Sequence, residues 1–461
     1  MAPHDPTPAD RPDPLSAAET LERGLGRRTF VRAALGAGAV LAAGMATAAP
    51  AAATPTPSRT RLPGEVLQPG KGPIDGDVYL PSRPDQVFWG YLPRTTDTPV
   101  ATVRSGRTIT IDTISHEGLL EDQGRDPVAW FAGKGVRRDQ VLDDAVAVAR
   151  TYARHTRDFD ADGPHVITGP VAVEGARPGD VLKIELLTAL PRVPYGVISS
   201  RHGKGALAAG FATSPGDITA AEVMPNTPDG RATKDPLRYG NVSVFTPVGR
   251  GRGNVPQATL PAGRRGSVSW PIDPFAGLMA VATVGDATRV NDPLVNSIPP
   301  TLGGGNIDVN LLNVGSAFYV PVVAPGALFS VGDPHMSMGG GEVALTALEG
   351  SLRMTFRLTV CRKGSKDAPS VAFRYPFGET PDAWVPIGLS DPDGSRTSQV
   401  SDLDIANRRA VVNALDFLQD DLGMDRAVAY AYLSAAADFE VSQVVDRTVG
   451  VHGVIPKSHF R

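Results

Sequence analysis

The stretch that decides the fold runs from Asn296 to Glu349 and reads NSIPPTLGGGNIDVNLLNVGSAFYVPVVAPGALFSVGDPHMSMGGGEVALTALE. It contains an Asn-x-Asp pair (Asn306 and Asp308), the triplet Asp333-Pro334-His335, and a glycine run that ends on Glu342. Apolar segments of β type separate these polar groups. Because catalytic sites are commonly built on turns between buried strands, we expect the core of a site here.

The composition of the 461-residue chain is that of a globular protein rich in turns. Hydrophobic residues make up 41% and charged residues 20%, and 42 prolines and 50 glycines favour a mainly β chain over a helical bundle. The formal net charge of −4 gives no indication of a nucleic-acid partner. Cys361 is the single cysteine, so an intrachain disulfide and a Cys-rich zinc site are excluded. A metal must therefore use His, Asp, Glu or carbonyl oxygens.

The first part of the chain has the pattern of an export leader. Arg27 and Arg28 precede a short apolar run from Ala33 to Ala43, which is typical of a twin-arginine signal. The run is too short to form a permanent membrane span. We expect a leader over residues 1–53, an extended Pro/Thr-rich linker over 54–75, and an exported protein that is periplasmic or extracellular. A flexible cytosolic tail is the alternative.

Alternation of apolar and polar residues predicts strands in the rest of the chain. Residues His165 to Leu187 predict a β-hairpin, whose turn lies in Arg177-Pro178-Gly179-Asp180. Leu352 to Val360 predicts a strand with its alternate apolar residues inward and its polar residues, Arg353 among them, outward. The sequence thus favours a mainly β (α+β) fold.

Helical spacing occurs in two places. Residues Arg138 to Tyr152 predict one helix. Beyond Asp402 a helical pair is expected, because Leu415, Leu418 and Leu422 have helical spacing. Gly423 would end the first helix, and Asp425 would cap the second.

Several blocks resemble the acetamidase/formamidase family. They are GPVAVEGARPGD (residues 169–180), GGNID (304–308), and VGDPH (331–335) followed by GEV (341–343). Their order and spacing match as well, over a catalytic region spanning residues 76–457. The resemblance implies a β-sandwich or barrel-like fold with a few helices, and it allows two intertwined β subdomains. It further implies hydrolysis of the C–N bond of small linear amides, a homodimer or higher homo-oligomer, and a divalent metal ion, with zinc or calcium expected.

Two positions depart from the family pattern. Gly303 stands where the family usually has a histidine, and Gly340 stands where it usually has an aspartate. Loss of a ligand at either position weakens metal binding, unless His116 or His202 replaces it. The alternatives are an amidase for a larger substrate and a secreted β-protein of the same fold that has lost activity and binds a small ligand.

Amide hydrolysis needs an activated water, a group that polarises the carbonyl oxygen, and a proton donor for the leaving amine. A divalent ion can supply the first two, and Glu342 is the candidate proton relay. Asp333 and His335 are candidate metal ligands because side chains two residues apart in an extended segment point the same way. Asp308 is the third candidate ligand. The alternatives are a tight turn at the triplet, an exposed acid at Glu342 and a turn cap at Asp308.

The remaining candidates carry alternatives as well. His116 ends a strand that is expected to be buried and is a candidate catalytic residue, whereas Glu174 is either a catalytic carboxylate or a surface charge of the hairpin. Asn306, Gly341 and His202 are candidates for substrate binding, and His202 is alternatively part of a basic loop. The other histidines are expected to be structural: His155, His165, His452 and His459.

Overall fold

The structure is a computed structural model, and it describes residues 61–201, 205–206, 241–284, 295–394 and 401–460. The predicted leader and the candidate His202 lie outside the described residues. The described part of the predicted linker, residues 61–75, contains no helix or strand, yet it packs onto the rest of the chain. Leu67 is buried there, and its amide donates to the carbonyl of Arg192 at 2.8 Å.

Strands dominate the described residues, which confirms the predicted mainly β (α+β) class. In chain order they are β1 (Val78–Leu80), β2 (Val87–Trp89), β3 (Ala101–Arg104), β4 (Arg107–Asp112), β5 (Val166–Glu174), β6 (Val181–Pro191), β7 (Tyr195–Arg201), β8 (Asn241–Arg250), β9 (Pro256–Pro261), β10 (Ser267–Pro271), β11 (Phe275–Ala280), β12 (Gly304–Asn306), β13 (Ala317–Pro321), β14 (Phe329–Ser337), β15 (Leu348–Glu349), β16 (Leu352–Cys361), β17 (Phe377–Glu379), β18 (Ala383–Leu389), β19 (Asp438–Gln443) and β20 (Gly450–Pro456).

These strands form two large sheets. The first has the order β1-β4-β16-β6-β13-β17-β18-β20-β19, and the second has the order β10-β9-β8-β7-β15-β14-β11-β12. Strand β5 joins the second sheet beside β14 and also pairs with β2 and β3. Phe329 of β14 and Phe356 of β16 make an edge-to-face ring contact, with centroids 5.4 Å apart. Side chains of both sheets therefore share one core, as in a sandwich.

The described helices are α1 (Pro127–Ala132), α2 (Asp143–Thr151), α3 (Leu403–Asp420) and α4 (Arg426–Ala436). The predicted C-terminal helical pair is confirmed, and the side chain of Asp425 caps α4 by accepting the amide of Ala427 at 2.9 Å. Helix α3 is shorter than the spacing predicts, since it ends before Leu422, which is exposed. The predicted helix from Arg138 is shorter than expected and begins at Asp143. None of these helices is both long and apolar enough to cross a membrane.

Strands β5 and β6 do not form the predicted hairpin. Strand β5 lies in the second sheet, whereas β6 pairs with β13 and β16 in the first. The turn chemistry is present, since the amide of Asp180 donates to the carbonyl of Arg177 at 3.0 Å. A turn reverses the chain locally but does not decide which sheet the next strand joins. This connection therefore passes from one sheet to the other.

Arg353 is buried rather than outward-facing, because it belongs to a balanced cluster of four charged residues: Asp112, Asp144, Arg192 and Arg353. Its guanidinium binds Asp112 with both arms, Nε to Oδ1 at 2.6 Å and Nη2 to Oδ2 at 2.9 Å. Arg192 lies 2.8 Å from Asp144 and 3.4 Å from Asp112. Arg353 also donates to the carbonyl of Gln68 at 3.1 Å, so the balanced cluster anchors the lead-in segment.

Candidate active site

Eight ionisable side chains gather at a cavity of about 420 Å³. We call this group the acid–histidine centre, and it consists of Asp308, Asp333, Glu342, Glu349, Asp446, His116, His165 and His335. All of them are buried except Asp446, which is partly exposed. All but Asp308 and His335 line the cavity itself.

Strand β14 supplies the middle of the centre. The Nε2 atom of His335 lies 3.1 Å from Asp333 Oδ2 and 3.1 Å from Glu349 Oε1. Asp333 has a left-handed backbone (φ 49°), so the triplet is not the regular extended segment that the spacing argument assumed. The two side chains still meet in this locally irregular part of the strand, and such backbone strain in a non-glycine residue is typical of functional sites. The same left-handed conformation occurs at Asp308, Glu342 and Asp446.

Gly277 of β11 leaves space for the side chains of the centre because it has no side chain of its own. An added Cβ atom at Gly277 would overlap Asp308 Oδ1 and would lie 2.6 Å from His335 Cε1 and 2.8 Å from Asp333 Oδ2. The carbonyl of Gly277 also accepts the amides of Ile307 at 3.0 Å and Asp308 at 3.2 Å. A glycine is therefore required at this point of β11. The sequence signal is only the run of small apolar residues from Phe275 to Ala282, a pattern that close packing alone also produces.

The Asn-x-Asp pair is brought to the centre as predicted from its glycine-rich context. Asp308 Oδ1 lies 3.8 Å from His335 Nδ1. Asn306 lines the cavity, and its Nδ2 atom donates to Asp446 Oδ2 at 3.0 Å. The buried Oδ1 atom of Asn306 has no hydrogen-bond partner among the described residues. This oxygen is free to accept a hydrogen bond from a ligand.

Glu342 lies in the centre rather than on the surface. It is 6% exposed, and its Oε1 atom lies 3.8 Å from His335 Nε2. The glycine before it, Gly341, is held by a hydrogen bond of 3.0 Å from its amide to the carbonyl of Ser442. Gly341 itself is buried, but it is not among the cavity-lining residues.

His116 stands just beyond the end of β4, as expected. Its Nδ1 atom lies 3.8 Å from Asp333 Oδ1 and 4.0 Å from Glu349 Oε2. Its Nε2 atom lies 3.5 Å from Glu117 Oε1, and Gln123 donates to the other oxygen of Glu117. The Nε2 side of the ring therefore faces Glu117, and the Nδ1 side faces Asp333 and Glu349.

His165, for which we expected a structural role, lines the cavity. Its Nδ1 atom lies 3.0 Å from the carbonyl oxygen of Ser297, which can only accept a hydrogen bond, so Nδ1 carries the proton. The unprotonated Nε2 atom then faces Asp333 Oδ1 at 3.6 Å. Two acceptor atoms that face each other across a buried gap suit a cation between them.

Sequence reasoning missed two acids of the centre, Glu349 and Asp446. Glu349 is the only charged residue between Val343 and Gly350 and belongs to a two-residue strand, and Asp446 follows Val444 and Val445. An acid directly after apolar residues was the available signal. It is weak because surface strands carry the same pattern.

Glu174 is the candidate that the structure keeps apart from the centre. Its side chain is 58% exposed at the end of β5 and lies 3.7 Å from Arg104. The surface-charge alternative therefore describes its position. Cys361 is buried, donates to the carbonyl of Asp367 at 3.3 Å and does not line the cavity.

The centre holds an excess of acidic groups. Burial and neighbouring acids raise the pKa of Asp308 and of Glu342 well above the usual carboxyl range, and burial raises the pKa of Asp446 to about 8. Burial opposes ionisation of Asp333 as well, but the charges of the nearby histidines outweigh it and lower its pKa. Burial lowers the pKa of His165 to about 4. A cation at the centre would offset the repulsion between the acids.

The residues of the centre fit a metal ion. Three sets bring possible ligand atoms within 4.8 Å of one another: His116 with His165 and Asp333, Asp308 with His335 and Glu342, and Asp333 with His335 and Glu349. In the first set, His116 Nδ1 and Asp333 Oδ1 are buried without a hydrogen-bond partner among the described residues. Such atoms are rare in folded proteins, and nitrogen and oxygen donors together suit a divalent transition metal.

The two departures from the family pattern do not lie at the cavity. Gly340 is exposed, and an added Cβ atom at Gly303 would meet Val281 and Thr301 rather than the centre. Neither glycine is among the described residues that line the cavity. The eight groups of the centre therefore come together without a side chain at either position.

Fold and centre together define a mainly β protein with a buried histidine–carboxylate site that could hold a metal ion. Residues 266–461 match the model of the Acetamidase/Formamidase family, which confirms the resemblance predicted from the sequence. The matched part contains six residues of the centre, whereas His116 and His165 precede it.

Relatives and solved structures agree with this match. The chain is 26% identical over 306 residues to an acetamidase from Mycolicibacterium smegmatis, covering 58% of this chain and 72% of the relative. It is 25% identical over 323 residues to a formamidase from Methylophilus methylotrophus, covering 64% and 76%. Crystal structures of acetamidases from Bacillus halodurans and Yersinia enterocolitica superpose with TM-scores of 0.57 and 0.58 at 22% and 21% identity. The alignments cover 83% and 86% of this chain and 98% and 96% of theirs, so the fold is shared.

Proposed function

We propose that this protein is a hydrolase that cleaves the C–N bond of short linear amides, of the formamide and acetamide type, to a carboxylate and ammonia. The observation that carries the proposal is the acid–histidine centre at its cavity, in a chain similar to acetamidases and formamidases. Buried groups of this kind, with pKa values shifted by burial and by specific neighbours, are characteristic of catalytic sites.

The proposed metal is zinc, with His116, His165 and Asp333 as its ligands. All three line the cavity, so a zinc ion that they held would be accessible to a substrate there, and a three-ligand set is usual for catalytic zinc. The second nitrogen of each imidazole faces an acceptor, Glu117 or Ser297, as is usual for zinc-binding histidines. Two nitrogen ligands favour zinc over calcium, which prefers oxygen. When bound, zinc polarises the amide carbonyl and lowers the pKa of water.

The other residues of the centre move the proton and orient the reacting groups. The water oxygen forms the new C–O bond, the C–N bond breaks, and nitrogen leaves as ammonia after it receives a proton. Glu342 is the proposed relay that takes the proton from water and returns it to nitrogen, because it lines the cavity. Asn306 Oδ1 is the proposed acceptor for the substrate amide N–H. His335 is a positioning residue that contacts Asp333 and Glu349.

The proposal is tested by ammonia release from formamide, acetamide and propionamide, before and after treatment with a chelator. We expect release by the untreated protein and by Glu174→Gln, whose substitution lies on the surface, and little release after chelation or by Asp333→Asn. If none of the short amides yields ammonia at any pH near neutrality, the proposed activity is wrong.

We also propose export by the twin-arginine route and a homo-oligomeric state. The Arg27-Arg28 pair and the apolar run after it support export. Replacing both arginines with lysine should leave precursor in the cytoplasm, and unchanged secretion of the double variant would remove that proposal. Sedimentation of the purified protein should give a mass above that of one chain, and a monomer mass would contradict the oligomer.

A further inference from the structure

The cavity wall contains a positively charged side chain, that of Arg447, which has no role in the proposed amide hydrolysis. Arg157 and Arg447 are the two arginines among its described lining residues. Arg157 has ion-pair partners, since its guanidinium lies 3.3 Å from Glu121 and 3.8 Å from Asp162. Arg447 differs, because no carboxylate of the described residues lies within 4.0 Å of its guanidinium nitrogens. A partly buried guanidinium without a partner is costly unless a ligand supplies the opposite charge.

The backbone around Arg447 is fixed in a strained turn. Asp446 and Arg447 both have left-handed backbones, with φ of 62° and 66°. The buried Gln443 spans this turn, accepting the amide of Val445 at 2.8 Å and donating to the carbonyl of Thr448 at 2.7 Å. The turn therefore carries Asp446 into the centre and Arg447 into the cavity wall, and it holds both side chains ready for a ligand.

The cavity is larger than formamide or acetamide requires. Its volume of about 420 Å³ is within the ~300–1,000 Å³ range of pockets that hold drug-sized ligands. Its remaining wall is mainly apolar and includes Leu120, Phe159, Pro164, Ile298 and Leu345. A ligand that fills this space has an acyl chain beyond its amide group.

We propose that Arg447 binds a carboxylate on the substrate, and that the substrate is therefore the monoamide of a short dicarboxylic acid. The planar guanidinium matches a carboxylate with two parallel hydrogen bonds, which a neutral amide cannot offer. This inference rests on the proposed amidase function and names the substrate class of that same site. Arg447 is a specificity-determining residue in it, and Gln443 is the residue that positions the turn.

The test compares succinamate with butyramide, a neutral amide of similar length, on the full-length protein with its metal bound. We expect the wild type to prefer succinamate in kcat/KM. Arg447→Met should lower the ratio of the two kcat/KM values roughly 10- to 100-fold, mainly through KM for succinamate. Arg447→Lys should keep part of the preference, because it keeps the charge but loses the planar fork. The control Arg252→Met removes an exposed arginine outside the cavity lining and should leave the ratio unchanged.

Two results would overturn the inference. If the ratio of kcat/KM for succinamate to kcat/KM for butyramide is the same in the wild type and in Arg447→Met, Arg447 does not bind the substrate carboxylate. The proposed amidase activity is unaffected by that result. If no amide is hydrolysed, the proposed function fails, and succinate binding by calorimetry then decides the role of Arg447. Binding at least tenfold tighter in the wild type than in Arg447→Met supports it, and equal or absent binding overturns it. Methionine adds no backbone strain, since arginine already occupies the left-handed turn.

Discussion

Two buried groups of charged residues in this molecule are built in opposite ways. In the balanced cluster, two guanidinium groups face two carboxylates, with closest contacts of 2.6 and 2.8 Å. In the acid–histidine centre, five carboxyl groups face three imidazoles, and the contacts range from 3.1 to 4.0 Å. Buried charges are tolerated in a fold when they are paired, whereas a buried excess of one sign persists where a bound ion or substrate offsets it. The comparison thus supports a structural role for the balanced cluster and the proposed functional role for the acid–histidine centre.

The backbone shows the same difference. Four acids of the centre have left-handed φ values between 45° and 62°, namely Asp308, Asp333, Glu342 and Asp446. No member of the balanced cluster has a positive φ. Strain of this kind costs roughly 1–3 kcal/mol per residue and is retained chiefly at functional sites.

The largest effect is expected from Glu342→Gln. Glutamine keeps the size of the side chain but cannot accept a proton, so kcat for acetamide should fall roughly 10²- to 10⁴-fold while bound zinc and the thermal midpoint stay unchanged. Steady-state kinetics and metal analysis on the same preparation check this. Glu174→Gln makes the same change on an exposed carboxylate and should have no effect. Loss of zinc from Glu342→Gln would instead make Glu342 a ligand.

Arg353→Met breaks the balanced cluster. Removing one partner of a buried ion pair leaves an uncompensated charge, so the free energy of unfolding should fall by about 3–5 kcal/mol in urea denaturation. The activity per bound zinc should not change. Arg357→Met is the matched control on β16, because Arg357 is 45% exposed and lies 3.8 Å from Glu185, a surface pair of little weight. If the free energy of unfolding falls equally in Arg353→Met and Arg357→Met, the buried cluster contributes no more stability than a surface ion pair.

A smaller effect is expected from Gly277→Ala. The added methyl group overlaps the side chains of Asp308, Asp333 and His335, so the variant should lose bound zinc and about 1–3 kcal/mol of stability. Metal analysis and urea denaturation measure both. Gly249→Ala on β8 is the control, since a Cβ atom there meets nothing within 4 Å. A Gly277→Ala protein with full zinc content and normal stability would contradict the proposed geometry.

The sequence predicted what depends on local pattern. The alternation of apolar residues in β6 and β16, the cap at Asp425 and the mainly β class follow from side-chain spacing and turn chemistry. The same reasoning misplaced Arg353, because its buried partner Asp112 is distant in the chain. It also joined β5 and β6 into a hairpin, because a turn sequence carries no information about sheet membership.

The site was predicted mainly where its residues cluster in sequence, with His116 as the exception. Asp308, Asp333, His335 and Glu342 stand within one glycine-rich stretch, and the structure brings them together. His165 and Asp446 reach the same cavity from distant parts of the chain, so only the strand pairing reveals them. Gly277 is recognisable only once the side chains opposite it are known.

Zinc-dependent amide hydrolysis at the acid–histidine centre is tested most directly by measuring bound zinc and ammonia release on the same samples. Zinc is removed with a chelator and then restored stepwise. We expect ammonia release to fall with the zinc content, to return in proportion as zinc is restored, and to stay absent in His165→Ala at every zinc level. Undiminished ammonia release from the metal-free protein would contradict the account.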